Sequence, residues 1–127
     1  MDPTQLNQLF GQLSSCISNI PGTAIDGFLS DLLGEEERIM LAKRLAGIIM
    51  LREGQTIYRT AQVLHLSTST VTRLFQQLQQ GDFAHIVTLF KKEKTDYLKF
   101  LDIIDTILHA GGIMPHRNGL ERYRGLK

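Results

Sequence analysis

Residues 54–80 read GQTIYRTAQVLHLSTSTVTRLFQQLQQ. The stretch predicts two short helices joined by a tight turn. Thr56 can cap the first, because its hydroxyl accepts a backbone N–H that a helix start leaves unpaired. Ile57, Ala61 and Leu64 of that helix face inward. His65-Leu66-Ser67 makes the turn, and Ser67 caps the second helix, where Val71, Leu74, Phe75 and Leu78 recur at three- and four-residue steps. Ala61 is small where the two helices cross, Leu66 plugs the joint, and Val71 and Leu74 seat one helix on the other. This is the internal geometry of a helix-turn-helix, here over 56–80. His65 stands where such turns often use glycine, so a left-handed backbone is expected at a residue that tolerates it only moderately.

The outer face of the second helix holds Thr68, Ser69, Thr72, Arg73, Gln76 and Gln77, and no acidic residue occurs between Gln55 and Gln80. A short, polar, partly cationic face suits the negatively charged groove of double-stranded DNA. Thr68, Ser69 and Thr72 are candidates for base edges. Tyr58, Arg59 and Arg73 are candidates for phosphates, Gln76 and Gln77 for either, and Ser67 lies at the start of the same surface. The alternative is a helical protein–protein adaptor that uses the helix-turn-helix only as packing. That reading needs the second helix covered by the C-terminal ones and a large apolar patch elsewhere.

The residues then carry a resemblance. Leu32-Leu33-Gly34-Glu35-Glu36-Glu37-Arg38, followed by Arg44, Gly54 and Ser67-Thr68-Ser69-Thr70-Val71-Thr72-Arg73, resembles the Trp repressor family. The resemblance implies an all-α, Trp-repressor-like helix-turn-helix bundle, intertwined as a homodimer, that represses transcription by occupying an operator. It also implies a ligand site. Arg44 and Arg73 match positions that flank the indole and the carboxylate of L-tryptophan in ligand-binding members, so L-tryptophan or a related small aromatic is the implied effector. Gly34 stands where those members carry a threonine. Read from the residues alone, Arg44 is rather a surface or dimer ion-pair partner and Arg73 a phosphate clamp.

The whole chain agrees with a small regulator. Its 127 residues allow one core, with 43% hydrophobic and 21% charged residues and three prolines. A single helical domain is expected over 1–110, followed by a basic tail over 111–127. Net charge is only +1, so any nucleic-acid affinity rests on where the charges lie. No basic segment followed by an apolar run opens the chain, so no signal peptide is expected. No apolar run approaches the roughly 20 residues that span a bilayer, so no membrane is expected as a partner. The single cysteine, Cys16, allows no intrachain disulfide and fits a reducing cytoplasm.

Asp2-Pro3-Thr4 opens a first helix with Leu6, Leu9, Phe10, Leu13, Ile17 and Ile20 as one apolar stripe. Cys16 reads as a small buried hydrophobe beside it. Pro21-Gly22 breaks the helix, and Thr23 is the expected cap of a second, which Gly34 ends. Glu35, Glu36 and Glu37 read as a charged helix start favoured by the dipole, because neighbouring helix residues point apart and do not converge on a metal. The helix they open runs through Arg52 and is apolar on more than one face, so it needs partners on several sides. A dimer core and the centre of a monomeric bundle both satisfy that need. Gly81 reads as a stop and Asp82 as a cap. Lys91-Lys92-Glu93-Lys94 separates two further helices, the last with Thr95 as its expected cap and Gly111-Gly112 at its end. The tail carries Arg117, Arg122, Arg124 and Lys127 around Tyr123 against Glu121. It can follow a phosphate backbone or dock on its own protein through Ile113, Met114 and Leu120.

No enzyme is legible. His65, His85, His109 and His116 lack the i, i+4 spacing of a metal pair, and no second cysteine completes a zinc set. Neither a phosphate-binding glycine loop nor a nucleophile elbow occurs. Asp102 and Asp105 can share a helix face, but nothing near them in sequence supplies a base or a metal.

Overall fold

The structure, a computed structural model, describes residues 1–108. Its described residues form seven α-helices and one 3-10 turn, with no strand. The all-α expectation is met. The tail over 111–127, with its basic residues, lies outside the described residues, as do His109, His116 and the Gly111-Gly112 stop. The chain divides into two compact units, Met1–Ile39 and a second beginning at Met40.

In the first unit, α1 spans Pro3–Ser18. The Asp2 carboxylate accepts the Gln5 N–H at 2.8 Å, and the Gln5 side chain accepts the Asp2 N–H at 3.0 Å. This reciprocal pair satisfies two donors that the helix start leaves open, and Pro3 loses nothing at its first position. No α1 residue is buried. Leu9, Phe10, Leu13 and Ile17 are 40–56% exposed. Cys16 is likewise exposed, not buried as its sequence position suggested, because no apolar layer covers α1. A 3-10 turn at Gly22–Ala24 leads into α2, Ile25–Leu32. Thr23 is not the cap of α2. It lies inside the 3-10 turn, which leaves Ala24 in the capping position without a side-chain bond.

Helix α3 spans Glu35–Arg52 and crosses the boundary between the units. Glu37 turns back to accept the Gly34 N–H at 2.7 Å, so one acid of the triple-glutamate run caps the helix start. Further along, Ala46, Gly47, Ile48, Ile49, Met50 and Leu51 are buried without interruption. Six consecutive buried residues cover every face of a helix, so α3 is packed on all sides there.

The second unit wraps that buried segment in two apolar layers. One joins Ala46, Ile49 and Met50 to Val63, Leu64, Phe90, Leu98 and Leu101. The other joins Ile48 and Leu51 to Ala61, Val71 and Leu74. Leu66 packs against both, as a plug at the joint should. These layers draw on α4 (Ile57–Leu64), α5 (Thr68–Gln79), α6 (Ala84–Lys92) and α7 (Lys94–Leu108). Gly47 lies where α3 meets α4 and α5. A Cβ built there would lie 3.1 Å from Leu74 Cδ1 and 3.5 Å from Leu64 Cδ1. Gly47→Val should therefore destabilise the protein by about 1–3 kcal/mol through overpacking, despite the better helix propensity of valine. The measurement is a urea midpoint at unchanged m-value, and an unchanged or raised midpoint would contradict the close crossing.

Candidate nucleic-acid interface

The helix-turn-helix is framed by chain reversals of one kind. At each, a residue with positive φ follows a helix, and the next amide reaches back five residues. Gly54 has φ 99° and Gln55 donates to the Met50 carbonyl; Gly81 has φ 84° and Asp82 donates to the Gln77 carbonyl. His65, at φ 55° and ψ 46°, does the same at the centre of the helix-turn-helix, with Leu66 donating to the Ala61 carbonyl at 3.0 Å. These bonds satisfy carbonyls that a helix end leaves open, and they fix the angle at which the chain leaves. Asp82 is therefore not the cap of α6. Its amide closes α5, and Phe83 takes the capping position with no side-chain bond.

Both expected caps are in place. Thr56 Oγ1 accepts the Arg59 N–H at 3.0 Å. Ser67 Oγ accepts the Thr70 N–H at 3.1 Å and donates to Thr70 Oγ1 at 2.8 Å, with Ser69 Oγ 3.1 Å away. Ser67 thus orients the first turn of α5 with a hydroxyl already engaged locally.

Beyond that turn, α5 has two opposed faces. Val71 and Leu74 are buried at 0% and 4% exposure against α3 and α4. Thr68, Ser69, Arg73 and Gln76 are exposed, while Thr72 and Gln77 are half-buried. Their spacing puts Ser69, Thr72, Arg73 and Gln76 on one side of the helix. Among the described residues the C-terminal helices leave Ser69, Arg73 and Gln76 on this side exposed, contrary to what the adaptor alternative requires. On α4, Tyr58 is 69% exposed and Arg59 is exposed. Arg44 and Arg73 are both exposed, and neither makes a hydrogen bond or ion pair with a described residue.

The surface stays free of negative charge for a second reason. Of the acids that flank the stretch in sequence, Glu53 is only 6% exposed and lies 3.6 Å from Lys94 Nζ, which leaves Asp82 as the nearest exposed acid along the chain. Gly47, Glu53 and Lys94 escape a reading of the sequence, although a glycine in mid-helix is itself a sign of close packing. Thr60 escapes it too. It is fully buried, and its Oγ1 has no hydrogen-bond partner among the described residues. Among those residues no three His, Cys, Asp or Glu side chains converge as a metal site would need, and no helix is long and apolar enough to cross a membrane.

The left-handed turn is directly testable. His65→Val should destabilise the fold by about 1–3 kcal/mol, because a β-branched side chain is strained at positive φ, whereas His65→Gly should be far milder. Thermal or urea unfolding of the two variants checks this, and equal losses would argue against the left-handed conformation.

No curated protein and no solved structure matches the chain. One protein family does, described as Trp repressor protein, over residues 4–93. The matched region runs from α1 through α6 and takes in both capped helices of the reading surface; α7 lies beyond it. With more than half of its length matched, and with the helix-turn-helix in place, the chain belongs to the Trp repressor protein family of DNA-binding transcriptional regulators.

Proposed function

We propose that the protein is a sequence-specific repressor that binds its operator as a two-fold dimer and inserts α5 into the major groove. The observation that carries this is the uncovered, acid-free face of α5, held by caps and turns at both ends of α4 and at the start of α5. Thr68, Ser69 and Thr72 read base edges, directly or through water. Tyr58, Arg59 and Arg73 hold phosphates, with Gln76 and Gln77 on either, and Ser67 sets the direction of the helix. Repression follows from occupancy of the site, so no catalytic group is needed.

The dimer reading rests on the exposed apolar stripe of α1, where Leu9, Phe10, Leu13 and Ile17 form a surface that water disfavours. A second copy of the chain supplies the apolar cover. Two-fold symmetry then sets half-sites roughly 34 Å apart, one duplex turn. A small aromatic carboxylate such as L-tryptophan is a second layer of the proposal. Arg44 and Arg73 offer exposed guanidinium groups without a partner among the described residues, which can stack a flat ring and hold a carboxylate through paired hydrogen bonds.

Duplexes selected from a random pool, with and without L-tryptophan, test the proposal when titrated across a salt series. Affinity should fall steeply with salt, and Arg73→Ala should weaken binding on all sequences and reduce the salt slope by about 1. Ser69→Ala or Thr72→Val should instead relax discrimination by about 1–3 kcal/mol at one base position. A flat salt response, unchanged by Arg73→Ala, would remove the DNA reading. For the dimer, sedimentation should give twice the 14.3 kDa chain mass. Phe10→Asp should shift it towards the monomer, and a wild-type monomer at micromolar concentration would overturn the dimer.

A further inference from the structure

Helix α7 lies outside the residues the family matches, yet it is built into the same core. Leu98 and Leu101 are 8% and 1% exposed, and they pack in one layer with Ala46, Ile49 and Met50 of α3 and Val63 and Leu64 of α4. Tyr97 meets Phe90 edge-on, with ring centroids 5.2 Å apart. Lys94, the first residue of α7, reaches Glu53 at 3.6 Å. Glu53 belongs to the link between α3 and α4, the covalent hinge between the buried scaffold helix and the helix-turn-helix.

Glu53 is oddly placed for a carboxylate. It follows the C-terminal end of α3, where the helix dipole disfavours negative charge. It is 6% exposed, and its carboxylate accepts no hydrogen bond from a described residue. A buried charge so placed is costly unless a cation offsets it. Among the described residues Lys94 is that cation, and it comes from the helix that lies beyond the family match.

We infer that α7 is a brace that holds the helix-turn-helix at a set angle to α3, with Lys94 acting through Glu53 as a positioning residue for DNA reading. The inference rests on the DNA-binding reading above and extends it to residues that touch no DNA. Leu98 and Leu101 press α4 against α3, and the Lys94–Glu53 pair clamps the hinge between them. The reading helix is thereby oriented before DNA arrives, which lowers the ordering cost of binding.

The test compares full-length wild type with Lys94→Gln, Glu53→Gln, the double variant and Lys94→Arg, by hydrogen exchange of the free protein and by titration of a selected duplex. Lys94→Gln should speed amide exchange in α4 and α5 while residues 46–51 of α3 keep their protection. It should weaken DNA binding about three- to tenfold, because it leaves a buried carboxylate beside a half-exposed cation's former place. The salt slope should not change. Lys94→Arg should restore both properties, and the double variant should be no worse than Lys94→Gln, since removing both partners leaves no unpaired charge. Unchanged exchange in α4 and α5 would overturn the brace, as would faster exchange spread evenly through α3. A salt slope reduced by about 1 with normal exchange would make Lys94 a phosphate contact instead and overturn it as well. If wild type bound no duplex, the DNA reading would fail by itself, and the exchange arm would still decide whether α7 holds the helix-turn-helix.

Discussion

Helix α3 meets the helix-turn-helix at a residue with no side chain. At Gly47 a single added carbon would sit 3.1 Å from Leu74 and 3.5 Å from Leu64, one residue on each helix of the helix-turn-helix. Both leucine side chains can therefore pack onto the α3 backbone there, and the α3 residues on either side of Gly47 are buried. Ile48 and Leu51 join one layer, and Ala46, Ile49 and Met50 the other. Close packing of this kind transmits a shape, because cores at crystal-like density have no slack to absorb a displaced helix. The orientation of α5 is thus inherited from α3 through a contact that contributes almost no apolar area of its own.

From that seat outward, backbone geometry aims the polar face. Gly54, His65 and Gly81 reverse the chain by the same pattern of amide-to-carbonyl bonds. Two of the three positions use the residue that suits positive φ best, and the third, at the tightest joint, uses a histidine. Ser67 and Thr56 then close the helix starts with side-chain oxygens. Each device is local, and together they leave Thr68, Ser69, Arg73 and Gln76 exposed above a buried Val71 and Leu74. Charge reinforces the shape, since the acid that closes α3 is buried against Lys94 instead of facing the same surface.

The two units contrast in how they satisfy their apolar residues. The second encloses a core, with Ile48, Ile49, Met50, Leu64, Val71 and Leu101 at 0–2% exposure, although Met40, Leu41, Leu89 and Ile103 stay 50–56% exposed. The first leaves the stripe of α1 half in water, with no buried residue on that helix. An amphipathic helix gains its stability by covering such a stripe, because helix propensity alone is marginal at this length. A partner for α1 and a surface for DNA are accordingly separate requirements, met by different parts of the chain.

The helix-turn-helix, its two caps, the left-handed histidine and the acid-free stretch were legible in the sequence by itself. So was the need of α3 for partners on several sides, which is met at residues 46–51, whereas Ile39, Met40 and Leu41 stay 45–51% exposed. Each depends on residues within a few positions of one another, where side-chain chemistry and helical period decide the outcome. Local reasoning failed at Thr23 and Asp82, where a neighbouring turn claimed the residue first: a 3-10 turn holds Thr23, and the closure of α5 takes the amide of Asp82. It failed also at Thr95, which is no cap because α7 already begins at Lys94. Cys16 was misplaced because periodicity marks which side of a helix is apolar, not whether anything covers it. Only the tertiary structure decided the approach at Gly47, the burial of Glu53 and its pairing with Lys94. Those facts join residues far apart in the chain, and the distance between them is set by packing, which no local pattern encodes.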